Sequence, residues 1–226
     1  MHLPFFRHST YFSCLASLLF CLITSCASNQ YAAIAIDDDR EAIAKVVSVD
    51  QKRRPLSPDP LADQKIQVWF PAIAGHLFGT PNVESSWSAA PDDDGAFAFP
   101  LTDVASELSK MSQVFDASET ALLLEPEDTR FARISSFAVR EFDGELLGRA
   151  SWNDPATRSE LILVYFDREC RMLGSVFYGK DELRVDLQIP AAGLYWLRKH
   201  RTLFGATRLL ITEEPEYLVL AIEPAA

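Results

Sequence analysis

The chain has 226 residues, 48% of them hydrophobic, and a formal net charge of −11. That length suits one large domain or two small ones, with a core that needs no disulfides to hold it. The acidic balance argues against nucleic acid as a partner, and against general adhesion to an anionic lipid face.

Residues 1–25 have the three-part layout of an export signal. Met1 to His8 carries Arg7 as its only permanent charge and no acid. Tyr11 to Ile23 is an apolar run, too short to span a bilayer comfortably, which takes about 20 residues. The small residues Thr24 and Ser25 follow, and then Cys26. Ile23-Thr24-Ser25-Cys26 resembles the lipobox of bacterial prolipoproteins, whose pattern is an aliphatic residue, a small or β-branched one, Gly/Ala/Ser and then Cys. The resemblance covers the first 26 residues and identifies a processing class. It implies cleavage before Cys26, lipidation of its thiol and a membrane anchor of acyl chains, of which two or more are needed for stable attachment. Ala27 stands where an Asp would suggest inner-membrane retention, so the resemblance implies the outer membrane of a Gram-negative cell, with the protein facing the periplasm. An ordinary secretory signal cut after Ala27 is the alternative.

Loss of the signal removes Arg7, so the mature chain goes from −11 to −12. Cys14 and Cys21 leave with it and lipid consumes Cys26, so Cys170 has no intramolecular partner left. It reads either as a small buried hydrophobe or as an exposed thiol, with Arg168 and Arg171 nearby to favour the thiolate.

Residues 26–64 are expected to be a lipidated segment and linker. Within them, Arg40 to Val47 fits a helical face after the acidic run Asp37–Asp39, and Lys45–Val49 fits a strand. Residues 50–64 hold three prolines and many charges and read as an exposed loop.

Residues 65–226 are expected to form the globular domain. The fold class is mainly β, an antiparallel β-sandwich or barrel, with one helix near 103–115. Lys65 to Phe70 alternates as a strand ending at Pro71. Gly79-Thr80-Pro81, the Asp92–Gly95 turn and Phe97-Ala98-Phe99 resemble carboxypeptidase-regulatory-type sandwich modules over some 25 residues, and the helical segment that follows departs from that pattern. Val104, Leu108, Met111 and Phe115 recur at helical spacing, with Thr102 or Asp103 as cap.

Strands are expected beyond it at Thr120–Leu124, Phe131–Arg140 and Glu145–Trp152. The Asp143-Gly144 pair joins the last two as a tight hairpin. Leu161–Phe166 is apolar on both faces and reads as a central strand. Met172–Tyr178 precedes Leu183–Ile189, which alternates cleanly with one wet face. Leu194–Leu197 follows, and Thr207–Ile211 with Tyr217–Ile222 reads as a final hairpin.

No motif identifies a reaction. A serine hydrolase would show a Gly-x-Ser-x-Gly elbow, and none is present. His76 and His200 are the imidazoles that remain after processing, and nothing in the sequence pairs either with a nucleophile. Two histidines and one cysteine, far apart, do not make a transition-metal set. Asp92–Asp94 with Gly95 offers calcium oxygens, but Leu101 stands where the full loop needs an acid. No cofactor is expected. Paired glycosidase carboxylates cannot be picked out of 32 acidic residues.

Trp69, Trp87, Trp152 and Trp196 are the sharper candidates, and Trp87 in its Ser-rich loop is the one most suited to stacking on a sugar ring of peptidoglycan or lipopolysaccharide. Arg198-Lys199-His200-Arg201 is the densest basic stretch, suited to an anionic polymer or an acidic partner loop. The expectation is a non-enzymatic, outer-membrane-anchored lipoprotein that binds or scaffolds an envelope protein or glycan. An envelope hydrolase whose side chains converge only in three dimensions is the alternative.

Overall fold

The structure is a computed structural model. It describes residues 40–57, 59–61, 64–77, 82–84, 87–117, 121–142, 144–178, 181–201, 207–213 and 215–223. Residues 1–25 and Cys26 therefore lie outside the described residues.

The elements in chain order are β1 (Glu41–Ser48), β2 (Ile66–Trp69), β3 (Ile73–Ala74), β4 (Ser88–Ala89), β5 (Ala96–Pro100), α1 (Leu101–Met111), β6 (Gln113–Val114), β7 (Ala121–Glu125) and β8 (Arg130–Ile134). They continue with β9 (Ser136–Glu141), β10 (Leu146–Asn153), β11 (Leu161–Phe166), β12 (Cys170–Tyr178), β13 (Asp181–Ile189), β14 (Gly193–Arg201), β15 (Thr207–Thr212) and β16 (Leu218–Ile222). Among the described residues the fold is mostly β with one helix, as expected. One sheet of seven strands runs β4-β2-β9-β10-β16-β1-β5. The other has nine, running β3-β8-β11-β14-β15-β13-β12-β7 with β6 also on β8. Pairing is antiparallel except between β1 and β16 and between β13 and β15.

Two cores result. The nine-stranded sheet wraps around its own core, in which Phe131, Val164, Phe166, Met172, Val185, Ile189 and Leu197 are buried. The seven-stranded sheet curls over the opposite face of β8, β11 and β14. The core between them holds Phe99, Phe137, Trp152, Leu163 and Trp196. The β11 strand is thus a wall shared by both cores. All six of its side chains are buried, which is the continuous apolar run the sequence showed.

Trp152 is the keystone of the seam. Its ring lies 4.2 Å from Phe137, 5.2 Å from Phe99 and 5.1 Å from Trp196, centroid to centroid. These tilted and edge-on contacts suit the ring quadrupoles.

Four sequence expectations need correction. Residues 41–48 are not part of a separate segment. The β1 strand pairs with β16 on one side and β5 on the other, with Ala42, Ala44 and Val46 facing the core. The loop after it folds back rather than acting as a linker. Val49 N–H donates to Ile222 O, Leu56 N–H to Ser48 O, and the Ser48 hydroxyl to Asp59 Oδ1 at 2.7 Å.

The helix is shifted toward its N-terminus, to residues 101–111. Pro100 takes the cap position without a side-chain bond, and Leu101 N–H is satisfied by Arg40 O. The helix ends at Met111 because Gln113 and Val114 pair with β8. Phe115 then enters the barrel core, 5.5 Å from Phe131.

The single strand expected at 131–140 is two strands divided at Ser135, with β8 in the nine-stranded sheet and β9 in the seven-stranded one. The final hairpin is likewise absent. The β15 strand pairs with β13 and β14, whereas β16 pairs with β1 and β10.

Gly174 has a steric duty in the barrel wall. Its φ is +134°, and a Cβ there would sit 2.0 Å from the Ala121 carbonyl oxygen. Only glycine lets β7 lie against β12 at this point.

Candidate functional site: an arginine-lined trough on the seven-stranded sheet

Most sequence-selected residues are taken up by structure. Trp87 is half-buried, its ring edge-on to Phe70 at 4.1 Å between centroids, so it packs on the core rather than standing out in the loop. Trp152 and Trp196 are buried. The basic stretch at 198–201 is dispersed by the period of its strand, which sends successive side chains to opposite faces. Arg198 follows Leu194 and Trp196 on the side of the inter-sheet core, and Lys199 and Arg201 follow Tyr195 and Leu197 on the other. Lys199 Nζ is bound to Glu160 Oε2 at 2.9 Å.

His76 lies just beyond β3 and His200 in β14. Among the described residues neither imidazole makes a hydrogen bond. Asp92 spends its carboxylate on its own turn, accepting from Asp94 N–H and Ala96 N–H. No group of three or more His, Cys, Asp or Glu positioned to hold a metal occurs among the described residues.

Cys170 faces the barrel core at 2% exposure. Burial, helped by the Asp167 carboxylate, pushes its thiol up to about 12. The buried reading holds, and the exposed, activated thiol is excluded.

A different surface gathers function-bearing residues: the solvent face of β2, β9, β10 and β16. Side chains on this face lie in rows across the strands. Trp69, Ala138 and Arg149 form one row. Ser136, Ser151 and Ala221 form the next. Arg140 stands across from Gln67, beyond Ala138 on the same strand.

The small residues in the middle make a trough. It comprises three adjoining cavities of about 360, 320 and 200 Å³. Pro71, Glu84, Ala138 and Arg140 line both the first and the second. Ser136 and Arg149 line both the second and the third. From β2 to β16 the trough crosses three strand spacings, roughly 14 Å. The larger cavities are of the size that accepts a small ligand.

Trp69 forms one wall. It is half-buried, and its Nε1 is closed off from solvent with no hydrogen-bond partner. Three guanidinium groups border the trough, and none is in an ion pair among the described residues. Among the described residues the Arg140 guanidinium donates only to the Gly144 carbonyl at 3.0 Å, that of Arg53 only to Asn153 Oδ1 at 3.5 Å, and Arg149 has no partner. Elsewhere on the surface Arg54, Arg168, Arg171 and Arg184 are paired with carboxylates, while Arg158, Arg201 and Arg208 stand singly without an ion pair among the described residues; in the trough three such arginines adjoin. Glu84 and Glu223 stand at opposite ends of the trough.

Of these residues the sequence reading named only Trp69. A signal was present nonetheless. Once 136–141 and 146–153 are read as a hairpin, period-2 alternation puts Ser136, Ala138, Arg140, Arg149 and Ser151 on one face. That pattern of small residues beside arginines differs from an ordinary solvated face.

No protein-family model, no curated protein and no solved structure matches this chain.

Proposed function

We propose that this chain is a lipid-anchored protein of the Gram-negative outer membrane, tethered through Cys26, whose seven-stranded sheet binds a glycan of the cell envelope. The observation that carries the reading is the trough, a shallow site about four strands wide with an aromatic wall and small residues on its floor. An aromatic ring beside an apolar, polar-rimmed floor suits the alternating C–H and O–H surface of a sugar ring. Pro71 and Ala138 continue the apolar surface of Trp69, while Ser136, Ser151 and the two glutamates offer hydrogen-bond partners for hydroxyls.

Binding is favoured over hydrolysis by the same lining. Hydrolysis of a glycosidic bond ordinarily uses two carboxyl groups flanking it. Among the described residues the two larger cavities have one carboxylate, Glu84, and no imidazole.

The test has two arms. Labelled palmitate should enter the wild-type protein and not a Cys26→Ser variant, and equal labelling of the two removes the anchor. Purified soluble protein should bind peptidoglycan glycan strands or lipopolysaccharide in a pull-down, and Trp69→Ala should abolish the capture while the protein stays folded. Retention of full binding by Trp69→Ala removes the trough as the site.

A further inference from the structure

We infer that the ligand of this trough is an acidic saccharide, with carboxylate or phosphate groups on more than one of its sugars. The inference rests on the glycan reading above and goes further by assigning the ligand's charge.

The argument starts from the arginines. A guanidinium is charged at every relevant pH and is suited to planar, two-point contact with carboxylate or phosphate. The chain carries 32 acidic residues against 21 basic ones, so carboxylate partners are plentiful. Yet Arg53, Arg140 and Arg149 have none among the described residues, and all three border the same trough. They come from three places in the chain, the loop after β1, the β9 strand and the β10 strand. Three guanidiniums against the carboxylates of Glu84 and Glu223 leave the lining at plus one among the described residues, in a molecule whose whole charge is −11.

The spacing sets the valence of the ligand. Arg149 is directly opposite Ala138, so Arg140 is its diagonal neighbour, about 7–8 Å away and somewhat less at the Cβ atoms. Arg53 lies beyond Ser151, in the third cavity. Arg149 lines the second and third cavities, Arg53 the third and Arg140 the first and second, so an extended chain bearing anionic groups along its length matches the arrangement.

A saccharide fits better than an acidic peptide because of the rest of the lining. Trp69, Pro71 and Ala138 supply a flat apolar surface for ring faces. Glu84 and Glu223 accept hydrogen bonds from hydroxyls, whereas they would repel a run of carboxylates carrying no hydroxyls.

The experiment compares probes on the full mature chain in detergent, by titration calorimetry or Trp fluorescence. Chitotetraose is the neutral probe. Denuded peptidoglycan glycan strands carry lactyl carboxylates, and lipopolysaccharide core oligosaccharide carries phosphates. A polyglutamate peptide is the non-sugar polyanion. We expect at least one acidic saccharide to bind ten-fold or more tightly than chitotetraose and polyglutamate. Its affinity should fall with added salt, and by ten-fold or more in the Arg140→Gln/Arg149→Gln double variant. Which acidic probe wins names the source of the anion.

Equal binding of chitotetraose, unaffected by the arginine substitutions, overturns this inference and leaves the glycan reading standing. Preference for polyglutamate overturns both. No binding by any saccharide also overturns both. A variant whose melting temperature stays at the wild-type value makes the affinity loss specific to the charges removed.

Discussion

The two sheets solve the same problem differently. The nine-stranded sheet turns its apolar side inward on itself, and its outer face is dressed with cross-strand ion pairs such as Arg171–Asp186. The seven-stranded sheet cannot enclose a core alone. It uses β8, β11, β14 and α1 as its floor, with Leu101, Val104, Ala105 and Leu108 closing one side. Its outer face gathers arginines without ion pairs among the described residues beside small residues, whereas the barrel's outer face has pairs such as Arg171–Asp186 and Arg184–Glu182 along with Arg208, which has none there. The difference separates a region specified by packing from one whose surface is left incomplete within the chain. Function is therefore sought on the second sheet, and stability in the first sheet and in the seam.

That division makes its strongest claim at Trp152. The ring is fully buried and touches aromatics from both sheets. Trp152→Ala should cost about 3–5 kcal/mol, the range for emptying a large aromatic site, and should lower the denaturation midpoint without changing which residues face the trough. A loss under 1 kcal/mol by urea denaturation would mean that the two sheets do not depend on this seam.

Gly174→Ala probes the barrel alone. The added methyl meets the Ala121 carbonyl at 2.0 Å, in a backbone conformation hostile to side chains. The expected cost is about 1–3 kcal/mol, from overpacking and backbone strain. Hydrogen exchange should speed up first in β7, the edge strand that has to move away. Uniform acceleration in both sheets would contradict the separate cores. Cys170 reports on the same core chemically. It should resist iodoacetamide in the native state and react once the barrel is unfolded, because burial holds the thiol protonated.

Much of this division was legible in the sequence. The alternation of 183–189 read as a strand with one wet face and the two-sided apolar run of 161–166 as a central strand, and these are an outer barrel wall and the wall shared by both cores. What stayed illegible was sheet membership. Phe131–Arg140 reads as one strand interrupted by the polar pair Ser135-Ser136, and at Ser135 its two halves pass to different sheets. No local propensity encodes that choice: β8 ends up buried on both faces, with Phe131 toward the barrel core and Ala132 and Ile134 toward the inter-sheet core, whereas β9 buries only Phe137 and Val139. The residues at 41–48 have alternating burial, but with two alanines among the inward side chains they carried too little β-branched character to exclude a helix. The basic stretch at 198–201 misled for the opposite reason. Adjacency in sequence looked like a patch, while on a strand it divides the charges between two faces. The arginines of the trough are distant in sequence, and strand register alone brings them together.

Asp59 tests how firmly the loop after β1 is fixed to the seven-stranded sheet. Burial opposes its charge, but the hydrogen bonds from the Ser48 hydroxyl and Leu61 N–H outweigh it and hold the carboxyl below its ordinary value of 3.8. A depressed folded-state value means that the stabilisation is present above the unfolded value and is lost as pH falls through the folded one. Asp59→Ala should therefore cost about 1 kcal/mol at pH 7. The gap between variant and wild type should close as the pH drops below 3.8. A gap that persists at the lowest pH would assign the effect to packing instead.

The smallest expected effect is the most diagnostic. Arg149 is exposed and has no partner among the described residues, so Arg149→Gln should change stability by no more than about 0.5 kcal/mol. If the trough belonged to the scaffold, this residue would resemble Arg168, whose guanidinium is held by Asp167 and Asp128 and raised above its ordinary value by both. Arg168→Gln loses two carboxylate contacts and should destabilise the protein by more than Arg149→Gln does. Saccharide affinity should rank the two variants in the reverse order. Thermal denaturation and titration on the same pair of proteins give both orders at once. Parallel rankings would collapse the distinction between the two sheets, because one arginine would then matter for fold and ligand alike.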